Sequence, residues 1–563
     1  MLVQNEKKIQ IPESGLLGVF HCQAGLKKSS CSSYSTANID HQSKDPSRPA
    51  VNDKDGDDDF SALEYDTAIE LAGVGWFHYV INLVAGFTLM SCGFDINLGA
   101  YIAPTASAVF EMNSEKIGLI HAVFLAGTIS TCFFWGALAD TFGRKKILVT
   151  GMFLDGVLLL ASSLSNNFTT FVILRFFNGF IIGGPIALIY TYLGEFYSEK
   201  RRAKVICFTA VAMTFSTLIL PVFAMTVLPM EISYKIGNWE FNSWRLLVAT
   251  VSIPSLLSAV LLSMMPESPR FLYTKSMHEE CLQSMSKIFA MNTGRDRASY
   301  PIKAFQSSSM KDINEPNRKK LLTSIVYKME VMWFQISKLL KPPVLNTTVL
   351  CTTIIFANMV GYCGLGIWVP EFFNRFEEAE KLEPNRTWTV CSTRAITREV
   401  PGGNLDTDET GNGSFSQKTL LYNMGIGGFS MLGNLISGLL ANKIDRRILP
   451  VTLMLASGSS IIYLVYVDST IKLMVSATMF YVMIGTAHAV YNSILVDLFP
   501  PSIVGMGVCL SLLSGRFGAM ISNIIFGNLL DQHCESTLGA TGAIVIGGAI
   551  VSLFIPKSSS RQN

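Results

Sequence analysis

The chain has 563 residues, of which 49% are hydrophobic and only 15% charged. A soluble protein of this size carries about a quarter charged residues, so the composition points to a membrane protein. A net charge of +2, with no basic cluster interleaved with aromatics, gives no support for nucleic acid as a partner.

The start, Met1-Leu2-Val3-Gln4-Asn5-Glu6-Lys7-Lys8, lacks an apolar run, so no cleavable signal peptide is expected and the first membrane helix directs insertion. Residues 1–70 are polar, carry the acidic run from Asp53 to Asp59, and read as a mobile tail. A spanning helix needs roughly 20 apolar residues. Twelve segments meet that length: 76–101, 117–138, 147–164, 170–192, 205–228, 245–265, 346–369, 419–441, 449–467, 471–493, 503–530 and 538–555. The domains expected are an acidic tail (1–70), a six-helix bundle (71–268), a linker (269–345), a second six-helix bundle (346–555) with an outer loop at 370–418, and a short tail (556–563). Eleven scattered cysteines without a C-x-x-C pair predict small buried side chains rather than a zinc or redox site, and no metal or cofactor is expected.

After the second apolar run comes Gly136-Ala137-Leu138-Ala139-Asp140-Thr141-Phe142-Gly143-Arg144-Lys145-Lys146. A faded echo follows the second run of the other half: Gly438-Leu439-Leu440-Ala441-Asn442-Lys443-Ile444-Asp445-Arg446-Arg447. One motif repeated at the same place in both halves means a duplicated membrane protein, the layout of a solute carrier. Of 44 Lys and Arg, 32 fall on the side of the N-terminal tail and 9 on the other, and Arg175, Arg245 and Arg516 lie inside helices. That bias places both termini in the cytosol. The sequons at Asn385 and Asn412 then fall in the outer loop as glycosylation candidates, whereas Asn346 and Asn167 are expected to stay bare. Cys391 and Cys534 both lie in outer loops, and a disulfide between them is one option.

These motifs resemble the major facilitator superfamily, over residues 76–556. The Gly136–Lys146 loop is similar to its signature between helices two and three. Arg175-Phe176-Phe177-Asn178-Gly179 resembles its helix-four pattern, and Glu195 with Arg201 and Arg202 its next charged loop. Pro266-Glu267-Ser268-Pro269-Arg270-Phe271 resembles the signature after helix six of its sugar and organic-ion branches. Within the superfamily the likeness is to the synaptic vesicle glycoprotein 2 group, carried by Phe134–Asp140, Tyr192–Phe196, Trp244-Arg245 and Met265–Phe271. The 370–418 loop is much shorter than in the vertebrate members of that group. Asp497-Leu498-Phe499-Pro500-Pro501-Ser502-Ile503-Val504 resembles the second-half counterpart of the helix-four loop, with Asp497 for the usual Glu and Val504 for the usual Arg.

The resemblance implies an all-α integral membrane fold of twelve helices in two pseudo-symmetric six-helix bundles that rock about a central site. It assigns gating to Gly136, Asp140, Gly143, Arg144, Lys145, Glu195, Arg201, Arg202, Glu267, Arg270, Arg446, Arg447 and Asp497. Asp140 is expected to accept charge-assisted bonds from a neighbouring helix end or from Arg144, and Glu195 to latch to Arg201 or Arg202. The alternative is that these charges only set topology.

Ionisable groups at membrane depth are functional candidates by default. Arg516 lies about 20 Å along its helix, near mid-membrane. The position resembles the charged site of organic-ion carriers, which is basic in anion carriers, so an anionic substrate is implied. Asp95 is expected to balance Arg516 or to carry a coupling proton, with a helix-packing or cap role as the alternative. Asp155 reads as structural and Arg175 as an anchor near the outer face. Asn97, Asn178, Asn358, Tyr362, His488, Tyr491 and Asn492 fall on helices that line the cavity in this fold.

The leading reading is a secondary transporter of a small organic anion, with the lipid bilayer around it and a coupling ion such as H+ as an option. The alternative is a vesicle glycoprotein that keeps the carrier fold and acts by binding partners. No H-E-x-x-H, G-x-x-x-x-G-K-[ST] or nucleophile elbow supports an enzyme.

Overall fold

The computed structural model describes residues 65–555 except 111, 132–133, 231, 237–238, 304, 306–332, 334–335, 384–385, 394–416, 441–447 and 500–502. Long apolar runs become helices because a helix satisfies its backbone polar groups internally, which hydrocarbon surroundings demand. The first half holds α1 (Trp76–Thr105), α2 (Ser114–Ser130), α3 (Phe134–Phe142), α4 (Arg144–Ser163), α5 (Phe168–Gly194), α6 (Glu199–Val227) and α7 (Ser243–Met264). Asn113 caps α2 by accepting from Lys116 N at 2.9 Å, and Asn167 caps α5 by accepting from Thr170 N at 2.7 Å. A small antiparallel hairpin, β1 (Ser233–Ile236) and β2 (Trp239–Asn242), joins α6 to α7 with Ser233 opposite Asn242.

After α7 come two short helices, α8 (Pro269–Thr274) and α9 (His278–Thr293). The second half holds α10 (Val344–Met359), α11 (Val369–Leu382), α12 (Gln417–Leu440), α13 (Ile448–Tyr463), α14 (Thr470–Leu498) and α15 (Val504–Ser552). Between α10 and α11 the helix loosens into a π turn at Val360–Gly364 and tightens at Leu365–Trp368. The 49 residues of α15 are about twice a bilayer span, and non-helical backbone at His533 divides them. Among the described residues nine helices are long and apolar enough to cross a membrane, or ten if α2 and α3, bent by 44°, make one span.

Each half is packed within itself, α4 on α7 and α1 on α6 in the first, α10 and α13 on α15 in the second. The halves meet along α2 against α15 and α6 against α12. The two ends of the molecule are named here the motif face, where Gly143 turns, and the disulfide face, where Cys391 and Cys534 are joined with their Cα atoms 5.5 Å apart.

Two boundaries differ from the sequence reading. Residues 65–70, assigned to the tail, fold as a helical turn that buries Tyr65, Ala68 and Ile69 with Leu272, Met285 and Tyr300. Tyr300 Oη donates to Ala68 O at 2.7 Å, so the tail's last stretch and the start of the linker form one cap on the first half. The other difference is at 370, where the outer loop was expected to begin but the helix continues to Leu382. Phe372, Phe373, Phe376 and Ala379 repeat at helical spacing and are buried, while the glutamates on the other side hide this helix from a hydropathy window.

The amide of Asn292, at the end of α9, ties the cap to α1. Its Nδ2 donates to Ala72 O at 3.2 Å and Gly73 O at 2.9 Å, and its Oδ1 accepts from Phe77 N at 3.2 Å. Burial pushes the Cys281 thiol in the same cap up to about 12. It is therefore an inert packing group.

Candidate functional site

At the motif face, the turn between α3 and α4 depends on Gly143, whose φ is +105°. A Cβ there would also sit 2.5 Å from Glu267 Oε2. Glu267 Oε1 accepts from Lys145 N at 2.9 Å and Ser268 N at 3.1 Å, so Lys145 bonds it through its backbone while its ammonium adds a charge attraction. Arg144 forms an ion pair with Glu195, and Glu195 Oε2 accepts from Ser268 Oγ at 2.5 Å. Tyr65 Oη of the cap donates to the Glu195 carbonyl at 2.8 Å. This is one connected cluster, half-buried, joining both motif loops to the segment after α7.

Its wiring corrects the sequence reading. Glu195 pairs with Arg144, not with Arg201 or Arg202, because α4 and α5 bring their motif-face ends together. Arg202 Nε instead donates to Gly194 O at 3.0 Å, and Arg201 and Arg270 are exposed. Asp140 lies 3.5 Å from Arg144 with its side chain 53% exposed, so that pair is the weaker one. Gly136 is exposed, and a Cβ there would meet nothing within 4 Å. Arg446, Arg447, Asn385, Asn412 and the Asp497 side chain lie outside the described residues. Gly143→Ala is expected to cost about 1–3 kcal/mol from backbone strain, before the contact with Glu267 is counted. A thermal melt of the purified protein checks it, and an unchanged midpoint would show that the turn relaxes freely.

Inside the first half, Asp95 on α1 and Arg175 on α5 form a fully buried pair. Arg175 Nη1 donates to Asp95 Oδ1 at 2.6 Å, Nη2 donates to Asp95 O at 2.9 Å, and the guanidinium stacks 4.6 Å from the Phe124 ring. Asp95 therefore balances Arg175 rather than Arg516, and Arg175 lies in the core of its half, two turns inside α5. Asp155 on α4 is equally buried, accepting from Ser255 Oγ at 2.8 Å and Asn178 Nδ2 at 3.2 Å. Asn178 points at α4 and away from the other half. Asn97 is half-buried on α1 and donates to Gly93 O at 2.8 Å.

In the second half, the π turn places Tyr362 over His488 of α14, rings 5.8 Å apart and 21° from parallel. Asn358 Nδ2 donates to Ile484 O at 3.3 Å, leaving its Oδ1 to accept from His488 Nδ1 at 3.1 Å. Asn492 Nδ2 donates to His488 Nε2 at 3.0 Å. Together these bonds hold the imidazole between two amides. A π turn inside a helix is often found at a functional site. Tyr491, by contrast, turns into the core of the half, its hydroxyl 2.5 Å from Ser552 Oγ. Its neighbours in sequence face the other way because consecutive helical positions diverge by about 100°.

Arg516 on α15 stands beside Cys363 of the π turn. Its Nη1 donates to Thr128 O of α2, in the opposite half, at 3.2 Å. Among the described residues no carboxylate lies within ion-pair distance of it. The arrangement is a cationic group at the seam between the halves, next to a wall of aromatic, imidazole and amide groups.

The model of the Major Facilitator Superfamily matches residues 83–380. The chain belongs to this superfamily. It is a multi-pass membrane protein related to the synaptic vesicle glycoproteins 2. It is 25% identical over 347 residues to synaptic vesicle glycoprotein 2C of Mus musculus, covering 59% of this chain and 48% of that protein. To glycoprotein 2B of Homo sapiens it is 25% identical over 338 residues, covering 58% and 49%. To glycoprotein 2A of Rattus norvegicus it is 22% identical over 333 residues, covering 57% and 45%. The chain thus spans about half the length of the curated relatives it matches. Among superfamily structures, the inward-open xylose transporter XylE of E. coli aligns with a TM-score of 0.59 at 18% identity, covering 86% of this chain and 98% of that one. A D-xylose–proton symporter aligns with a TM-score of 0.58 at 16% identity, covering 87% and 100%. At these identities the likeness is one of superfamily fold.

Proposed function

We propose that the chain is a secondary transporter of a small organic anion that works by alternating access. The observation that carries this reading is Arg516, a guanidinium at the seam with a backbone carbonyl as its partner and no described carboxylate to neutralise it. A charge at membrane depth costs roughly 2.5–3.5 kcal/mol on insertion scales, so a ligand that neutralises it gains accordingly. Asn358, Tyr362, His488 and Asn492 supply polar and stacking contacts beside it, with Asn97 on the facing half. Asn178 and Tyr491 are left out, since both are engaged away from the seam.

Alternating access fits the distribution of contacts. The described polar contacts between halves, Ser114 with Arg375 and Thr128 with Arg516, lie at the disulfide face and at mid-depth. In this reading residues 71–268 and 346–555 are the moving bundles, packed together at the disulfide face by the Ser114–Arg375 bond and the close approach of Gly118 and Gly527, with both termini in the cytosol. The Arg144–Glu195 cluster would hold the motif-face ends of the first bundle in shape as it moves. Coupling to H+ is part of the proposal, and the buried carboxyl pair of Asp95 and Asp155 beside Arg175 is the place in the first half where it is sought.

The test is uptake of a mixed metabolite panel by membranes carrying the wild-type chain or Arg516→Ala at equal surface expression. Anions accumulated by the wild type and lost in the variant support the proposal. Loss of cations instead would remove the anion assignment and keep transport. The second reading, a membrane glycoprotein acting through partners, is supported by the similarity to the synaptic vesicle glycoproteins. It gains if no solute distinguishes either protein from empty membranes.

A further inference from the structure

A charged cluster at the disulfide face, distinct from the motif-face cluster and from Arg516, joins three helices and both halves. Arg375 of α11 donates from Nε to Glu371 Oε1 at 2.7 Å, from Nη1 to Asp531 Oδ1 of α15 at 2.8 Å, and from Nη2 to Ser114 Oγ of α2 at 2.7 Å. The Arg375 side chain is 11% exposed and Ser114 is 2% exposed, so the bond across the seam is sheltered from water. A planar guanidinium can hold three partners in fixed directions, which an ammonium cannot do.

The cluster stands where the halves come closest. One turn along α2 from Ser114 is Gly118, and one turn along α15 from Asp531 is Gly527. A Cβ on Gly118 would lie 2.8 Å from Gly527 Cα. Bonds between Arg375 and Ser114 can form only when α2 and α15 are in this close register, so they are made in the closed form and lost on opening. Three residues beyond Asp531, Cys534 is bonded to Cys391, which ties the chain after α11 to the same end of α15. Asp531 and Arg375 are thus held in place by the second half, and Ser114 is what they catch.

We propose that Arg375 is the positioning residue that latches the disulfide face shut, gripping Ser114 of the opposite half while Glu371 and Asp531 hold it in place. This rests on the alternating-access reading and adds the latch on the face opposite the motif cluster. An interaction present in one of two states biases their equilibrium by its full strength in that state.

The experiment is hydrogen–deuterium exchange on the full chain in lipid nanodiscs, without added solute, comparing wild type with Arg375→Ala and Arg375→Lys. If the latch is real, Arg375→Ala exchanges about tenfold faster in peptides covering 113–118 and 524–531, within the range of ordinary conformational coupling, and slower in 139–146 and 194–202. Arg375→Lys falls between. Ser114→Ala, which removes the grip and leaves the charges in place, shows the same opposed changes. Unchanged exchange at the disulfide face, or equal acceleration at both faces, would overturn the proposal, the second outcome marking general loosening. Because no solute is used, opposed changes at the two faces in a protein that moves no solute would keep the latch and remove the transporter reading.

Discussion

Asp95→Ala is expected to be the most damaging single change in the first half, lowering stability by about 3–5 kcal/mol because it strands the Arg175 charge in a fully buried place. Arg175 would keep the backbone carbonyl of residue 95 and the face of Phe124 as its described partners. Asp95→Asn keeps an oxygen to accept the hydrogen bond but not the charge, so it should fall between. Replacing both partners, Asp95→Leu with Arg175→Met, removes the stranded charge and should recover much of the loss. Thermal melts of the four proteins in one detergent decide it. Equal midpoints for wild type and Asp95→Ala would mean that water reaches Arg175, and the buried-pair description would fail. The same series separates stability from coupling. A variant that folds well but moves solute independently of pH would place the coupling at this buried site.

The second large effect is expected at the seam. Gly118→Leu puts a side chain where even a Cβ would lie 2.5 Å from Asn523 O. Small residues at such a crossing let membrane helices approach backbone to backbone. Overpacking costs typically 1–3 kcal/mol, and if it falls only on the closed disulfide face, that state loses about 5- to 150-fold in population. Transport of whichever solute the panel reveals should fall by a similar factor, with the first half still folded. Gly547→Leu is the control, since a Cβ there meets nothing within 4 Å. If both glycines tolerate leucine equally in flux measurements, the seam at Gly118 does not close during the cycle.

Much of this was legible in the chain, and the failures have common causes. Hydropathy located the helices because a bilayer imposes one length on all of them. The repeated loop at Gly136 and Gly438 revealed the duplication because composition survives where exact residues do not. What could not be read was azimuth. Asp95, Arg175 and Arg516 were all visible as intramembrane charges, but which pairs with which depends on the rotation of three helices about their axes. Asn178 and Tyr491 were misplaced for the same reason. Glu195 was given its neighbours in sequence, Arg201 and Arg202, when its partner Arg144 comes from another loop. Arg375 was passed over because it lay in what read as an outer loop. The glutamates of α11 lowered the local hydropathy while its phenylalanines still formed a buried stripe, a signal that a search for helical periodicity would have found.

The staple at Asn292 also sets a schedule. Its amide holds the carbonyl of Ala72 across 220 residues of sequence. A ribosome adding about 5–20 residues per second needs some 10–40 s to travel that distance. Throughout that interval α1 to α7 are already being made and placed in the bilayer, while the entrance to α1 still lacks the side chain that pins it. The first half therefore finishes folding only after its last membrane helix has been made. A chain stopped between residues 265 and 291 would hold every helix of that half without its cap.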